Sequence, residues 1–293
     1  MGLGAALLLA AGAAGTCVFG VRGVGAAILP APPAAARRPD RPPPPALTWP
    51  VARLLHRGRG PIVLWSAINA FLGAGMVSLA RSVAGLTGAS PQLTALFDHA
   101  TGGLELGFVA LLWAGTAQLV LAGCAAQTVA GWTVDDTGGV LAALLGRPTS
   151  RAGLVLERGA AAAVALAIVA APGTLGAGLA AATSGLVLPS GRLVTAGALF
   201  VPFGLFFAAA GAGVGGRWPR GAAIALGIVA ILSFLDADVA AIVGLPAWAG
   251  DLSVFRPYGN PLVSPPYWIW AMLTITALGF GVGAVGMGRR DVA

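Results

Sequence analysis

The sequence predicts an all-α polytopic membrane protein, and three observations carry that prediction. Of its 293 residues, 57% are hydrophobic and only 9% charged, with a mean hydropathy of +0.87, a composition that one soluble core cannot hide. Apolar runs of about 20 residues, the length that crosses hydrocarbon as a helix, recur from one end to the other. Small residues crowd into stretches such as "GAGVGG" (211–216) and "GFGVGAVG" (279–286), where helices in lipid can approach closely. No segment requires a strand.

About seven transmembrane helices follow, near residues 2–21, 61–84, 104–128, 160–185, 193–215, 222–243 and 267–287. The first, "GLGAALLLAAGAAG", lacks a charged stretch before it and is followed by Arg22, which suits a retained single helix over 1–28 better than a cleaved signal peptide. Residues 29–48 are rich in Pro and Arg and read as an extended linker. The remaining block, 49–293, holds six helices. It opens with "WPVARLLHRGRG", whose Trp49, Val51, Leu54 and Leu55 oppose Arg53, His56 and Arg57. That pattern predicts a short interfacial helix over 49–58.

Residues 129–158 form a polar island with Asp135, Asp136, Arg147, Arg151, Glu157 and Arg158. Val140, Leu141, Leu144 and Leu145 share one face of a short helix. Asp135 and Asp136 precede it, where carboxylates suit a helix N-terminus, and Arg147 follows. Pro148 stops it, and Thr149 or Ser150 can cap the next helix. Two readings stay open: an amphipathic cytoplasmic docking element, or an ordinary connecting loop on the lipid surface.

All 17 basic residues are Arg. Without Lys there is no Walker A motif, so any ATP must be bound by another polypeptide. With the first helix running outside to inside, Arg81, Arg192 and Arg256 fall outside, and the other fourteen arginines are cytoplasmic. The positive-inside rule therefore predicts the N-terminus outside and the C-terminus in the cytoplasm of the cell membrane. Pairing with anionic headgroups accounts for the +7 charge. Nucleic acid is not expected as a partner, because no basic stripe interleaves with aromatics. Cys17 and Cys124 lie in apolar segments, and His56 and His99 lack neighbouring ligands. Neither a metal nor a cofactor is expected.

Three stretches carry a resemblance. "GGVLAALLGRPTSRAGLVLER", "VFRPYGNPL" (254–262) and "MGRRDVA" (287–293) resemble, in order, the segment after a Leu-Leu run, the last outer loop and the basic cytoplasmic end of type-2 ABC exporter permeases. Thr149 stands where the family more often has Val. The resemblance implies a six-helix permease half without enzymatic activity of its own. A separate ABC ATPase would dock on a coupling segment containing Asp135, Asp136, Leu141, Leu144, Leu145, Arg147, Pro148, Ser150, Arg151 and Glu157, and on the interfacial helix with Trp49, Arg53, His56 and Arg57. Long members, similar to actinobacterial exporters of polyketide antibiotics, join two such halves through a Pro- and Arg-rich linker. On that comparison the first helix is the last span of a first half. The second half-transporter would be another copy or a separate chain, and the cargo a hydrophobic or amphipathic small molecule, antibiotic- or drug-like, moved out through the bilayer.

Within the membrane, Glu105, Asp236 and Asp238 are the candidate polar groups, each near an outer mouth. They keep a proton-coupled secondary transporter in view. A non-transporting scaffold is the third possibility. Asn69, Gln118 and Gln127 are expected to hydrogen-bond between helices, and no nucleophile or paired-carboxylate constellation marks an enzyme.

Overall fold

The computed structural model describes residues 49–87, 104–137, 150–243, 253–263 and 266–288. The predicted first span and its linker lie outside them. Among the described residues the secondary structure is all helix, joined by short turns and loops. Five helices among these residues are long and apolar enough to cross a membrane, and Gly221–Asp236 is a shorter apolar helix.

The first element, α1 (Pro50–Arg57), begins with Pro at its first position and ends with His56 and Arg57, the charge sign that the last turn favours. None of its residues is buried. After Gly58 the chain enters α2 (Arg59–Thr87). The next helix, α3, runs continuously through Leu104–Val109, a π turn at Ala110–Ala114, and Gly115–Thr137. Ser150 caps α4 (Arg151–Ser184) by accepting from the Gly153 N–H, and Gly185 closes it at φ 70°, a left-handed conformation suited to glycine. Then come α5 (Ser190–Arg217), α6 (Pro219–Val243), the single turn α7 (Phe255–Tyr258) and α8 (Ile269–Gly288).

Two of these boundaries differ from expectation. The span placed at 104–128 continues to Thr137, and the one placed at 160–185 begins at Arg151. The polar segment at 129–158 is therefore mostly helix, and only 138–150 connects α3 to α4. Charged residues bound the predicted spans because lipid excludes charge. A helix can instead outrun the hydrocarbon: α4 has 34 residues, about 50 Å at 1.5 Å per residue, against about 30 Å of hydrocarbon.

Small residues set the helix pairs. A Cβ built on Gly73 of α2 would lie 2.3 Å from the carbonyl oxygen of Gly173 on α4, and one on Gly176 would lie 2.6 Å from that of Ala70. Backbones this close exclude any side chain. The same device joins α5 to α8, where Cβ atoms on Gly279 and Gly283 would meet the carbonyls of Ala209 at 2.8 Å and Ala212 at 2.9 Å. Pro172 removes the N–H that Ile168 would have received within α4. The Ser66 hydroxyl of α2 donates to that carbonyl at 3.3 Å, a repair from a neighbouring helix that lipid demands.

The core lies around α3 and α5. Trp113, Leu121, Phe200, Phe203 and Phe207 are fully buried there, with Trp113 edge-on to Phe200 at 5.5 Å between ring centres. The outward faces are aliphatic, with Ile224, Ile228 and Leu232 on α6 and Leu273, Leu278 and Val282 on α8. Such a surface is stable only against lipid tails.

Candidate functional site

Two polar constellations sit at opposite ends of the bundle. The first gathers the ends of α3, α4 and α8 beside α1. Asp135 and Asp136 occupy the last turn of α3. Carboxylates are disfavoured at that negative end of the helix dipole, and each is met by an arginine from elsewhere. Arg57 of α1 lies 3.7 Å from Asp135, a pair with side chains 58% and 26% exposed. Arg158 donates through Nη2 to Asp136 Oδ1 at 2.7 Å, and this pair is 4% and 8% exposed. The Arg158 guanidinium also lies 5.9 Å from the ring centre of Trp132, within cation–π range. A cavity of about 30 Å³ lies beside the pair, lined by Trp132, Thr133, Val155, Gly211, Gly283 and Met287 among others.

Arg151, in the first turn of α4, donates through Nη1 to the carbonyls of Met287 at 3.1 Å and Gly288 at 3.0 Å. It thereby satisfies the last carbonyls of α8. Below it, Leu154, Val155 and Met287 form a buried apolar cluster with Phe280 and Ala284 packed on it. The connection 138–150 is thus rooted in helices that are themselves pinned together.

The second constellation is the stretch from Ser253 to Val263, which wedges into the opposite end. Phe255 packs on Phe203 at 4.8 Å and Phe234 at 5.7 Å between ring centres. The Tyr258 hydroxyl donates to the Leu199 carbonyl, and burial pushes its phenol pKa above the ordinary range. Gln118 Nε2 donates to the Gly259 carbonyl at 2.9 Å, Asn260 Nδ2 to the Ala110 carbonyl at 2.6 Å, and the Ser253 hydroxyl to the Ser233 carbonyl at 2.6 Å. This wedge therefore binds α3, α5 and α6 at once.

Several of the sequence-predicted site residues fall at the first end. Ser150 is the α4 cap, Arg151 holds α8, Glu157 is half-buried, and Trp49, His56 and Arg57 are exposed with Arg53 half-buried. Leu141, Leu144, Leu145, Arg147 and Pro148, and with them the predicted short coupling helix, lie outside the described residues. At the other end, Glu105 stands in the first turn of α3. Asp236 is partly buried, and its Oδ2 has no hydrogen-bond partner among the described residues. Asp238 lies within α6, its side chain outside the described residues. Two of the three amides bond between helices as expected, Asn69 Nδ2 donating to the Val169 carbonyl at 2.8 Å and Gln127 accepting from the Trp65 indole, whereas Gln118 donates to Gly259 of the wedge, outside any helix.

Sequence reasoning missed Arg158, Trp132, Tyr258 and Asn260 as site residues. In the sequence Arg158 stands next to Glu157 at the edge of an apolar run, so no local pattern names Asp136 as its partner. Asn260 and Tyr258 lay within a quoted motif, but their targets are far away in sequence.

A bundle of long apolar helices, joined by small-residue seams and carrying charged groups at one end, defines a multi-pass helical membrane protein. A family model for the C-terminal domain of the multidrug efflux system permease Rv1217c matches residues 47–288. The chain belongs to that family. It is accordingly a transmembrane efflux subunit. No curated protein matches it in a sequence search.

Proposed function

We propose that the chain is the membrane subunit of a type-2 ABC exporter, driven by a separate ATPase and moving hydrophobic or amphipathic drug-like molecules out of the cytoplasm. The carrying observation is the match to a multidrug efflux permease domain across residues 47–288, and the Arg-rich end supports it. There α1 stands beside the ends of α3 and α4, and those two helices frame the connection 138–150. A soluble partner that presses on this connection meets helices tied by Asp136–Arg158 and by Arg151. The push then reaches α3, α4 and α8 together. The chain itself binds no ATP in this reading, and a second six-helix half, another copy or a separate chain, completes the path. The Arg-rich end faces the cytoplasm by the positive-inside rule.

Affinity purification from the native membrane, with mass spectrometry of what accompanies the chain, tests the proposal. An ATPase and a second permease half are the expected companions. Recovery of the chain alone, under conditions that preserve other transport complexes, would overturn it. Arg147→Glu is the sharper test of the dock and should weaken the ATPase association. Arg151→Glu is unsuitable, because it also releases the end of α8.

One observation favours a second reading. The Oδ2 of Asp236, buried and unpartnered among the described residues, belongs to the kind of carboxylate that a proton-coupled transporter uses. Efflux that collapses with the proton gradient while ATP is intact, and that Asp236→Asn abolishes, would select it.

A further inference from the structure

The helix α3 contains a π turn, Ala110–Ala114, between residues of ordinary helical geometry: Val109 at φ −61°, ψ −42° and Gly115 at φ −61°, ψ −47°. A π turn is one residue inserted into an otherwise regular helix, and it breaks the local ladder of backbone hydrogen bonds. Side chains gather at the disturbed carbonyls. Asn260 Nδ2, from the wedge, donates to Ala110 O at 2.6 Å. The Thr116 hydroxyl lies 2.6 Å from Leu112 O and 2.9 Å from Trp113 O.

The grip of the wedge on α3 is bracketed around this turn. Asn260 holds residue 110 while its neighbour Gly259 accepts from Gln118, eight residues further along. Asn260 is itself fixed, because its Oδ1 accepts the Leu262 N–H at 3.1 Å. Inside the turn, Trp113 is 0% exposed and its indole N–H has no acceptor among the described residues. A fully buried donor left unpaired is costly. The turn therefore carries a penalty of its own and leans on contacts from outside α3.

We propose that Asn260 is a positioning residue that keeps the π turn in α3 while the wedge is seated. When the wedge leaves, the inserted residue is absorbed into a regular α-helix, and the segment Leu104–Val109 turns relative to the rest of α3. This inference rests on the export reading and adds to it that the wedge leaves when cargo passes. One residue in a 3.6-residue turn corresponds to about 100°. A side chain about 5 Å from the helix axis would move by roughly 8 Å. Withdrawal of the wedge and reorientation of the outer part of α3 are then one event, and Asn260 joins them.

The test uses the full chain in lipid nanodiscs, with both native cysteines replaced by alanine. Spin labels at Glu105→Cys and Ile228→Cys report the end of α3 before the turn; labels at Val134→Cys and Ile228→Cys report the end after it. Asn260→Ala should shift the first distance by several ångströms, toward the roughly 8 Å set by helix geometry, and leave the second unchanged. Deleting Leu111 removes the inserted residue and leaves the flanks of α3 in their parent orientation, so Asn260→Ala on that background should leave the first distance at the parent value. An unchanged first distance in Asn260→Ala would overturn the proposal, as would a shift that persists when Leu111 is deleted, or equal shifts in both label pairs, which mean general loosening. Efflux of a fluorescent lipophilic dye by the parent chain with its partners is measured separately. Absence of that efflux would overturn the export reading, while the distances still judge the role of Asn260.

Discussion

Arg158 and Asp136 face each other 22 residues apart, joined at 2.7 Å and almost wholly withdrawn from solvent. One belongs to the second turn of α4 and the other to the last turn of α3. Each charge alone would be untenable there. Asp136 sits at the negative end of a helix dipole, and Arg158 lies among apolar side chains at the edge of the bundle.

The pair should therefore respond asymmetrically to substitution. Asp136→Leu leaves a buried guanidinium without its counter-charge, and removing one partner of such a pair costs about 3–5 kcal/mol. The double change Asp136→Leu with Arg158→Leu should recover most of that loss. Unfolding of the four proteins of this cycle in detergent micelles gives the coupling. Equal losses in the single and double variants would contradict the account.

Arg57–Asp135 should behave differently although it lies one residue away. With Arg57 58% exposed and the charges 3.7 Å apart, the pair contributes less than about 1 kcal/mol. Arg57→Ala should scarcely move the unfolding midpoint in the same assay.

Two glycines on α2 offer an internal contrast. Gly73→Ala drives a methyl group into the Gly173 carbonyl, whereas around Gly75 nothing lies within 4 Å of an added Cβ. Gly73→Ala should separate α2 from α4 and lower stability. Gly75→Ala should be neutral or stabilising by up to about 1 kcal/mol, the helix preference of Ala over Gly. A disulfide reporter across α2 and α4, formed in one variant and not in the other, would display the difference.

Tyr258 should impart an alkaline limit to stability. Burial raises its phenol pKa in the folded protein, so the neutral form is favoured by folding. This contribution is complete below the unfolded value of about 10 and is lost as pH rises beyond it, because the unfolded chain ionises first. In a Tyr267→Phe background, tyrosinate absorbance should appear only when the protein unfolds. Adding Tyr258→Phe should flatten the alkaline fall in stability, at a cost of about 1 kcal/mol for the lost hydrogen bond to Leu199.

Much of the bundle was legible in the chain. The spans expected at 61–84, 193–215 and 267–287 correspond to Arg59–Thr87, Ser190–Arg217 and Ile269–Gly288. Gly279 and Gly283, singled out within a small-residue run, do mediate a close helix pair. The ends of α3 and α4 were less legible, since Asp136 and Arg158 look like solvated loop charges until each is known to face the other. No local pattern announces the π turn, because "ALLWA" reads as ordinary helix. The motif containing Tyr258 and Asn260 could be picked out, but not the carbonyls of Leu199 and Ala110 that receive them.

The sequence by itself determined that this chain lives in a bilayer as a set of helices. Hydrocarbon excludes charge and water, so length, apolarity and internally satisfied backbone hydrogen bonds must be met within each segment. Tertiary structure alone decided which charges are buried in pairs, which carbonyls receive side chains from other helices, and where a connecting loop becomes a wedge. Those outcomes depend on groups that approach only after the helices have packed, and the environment of a polar atom is set by such neighbours.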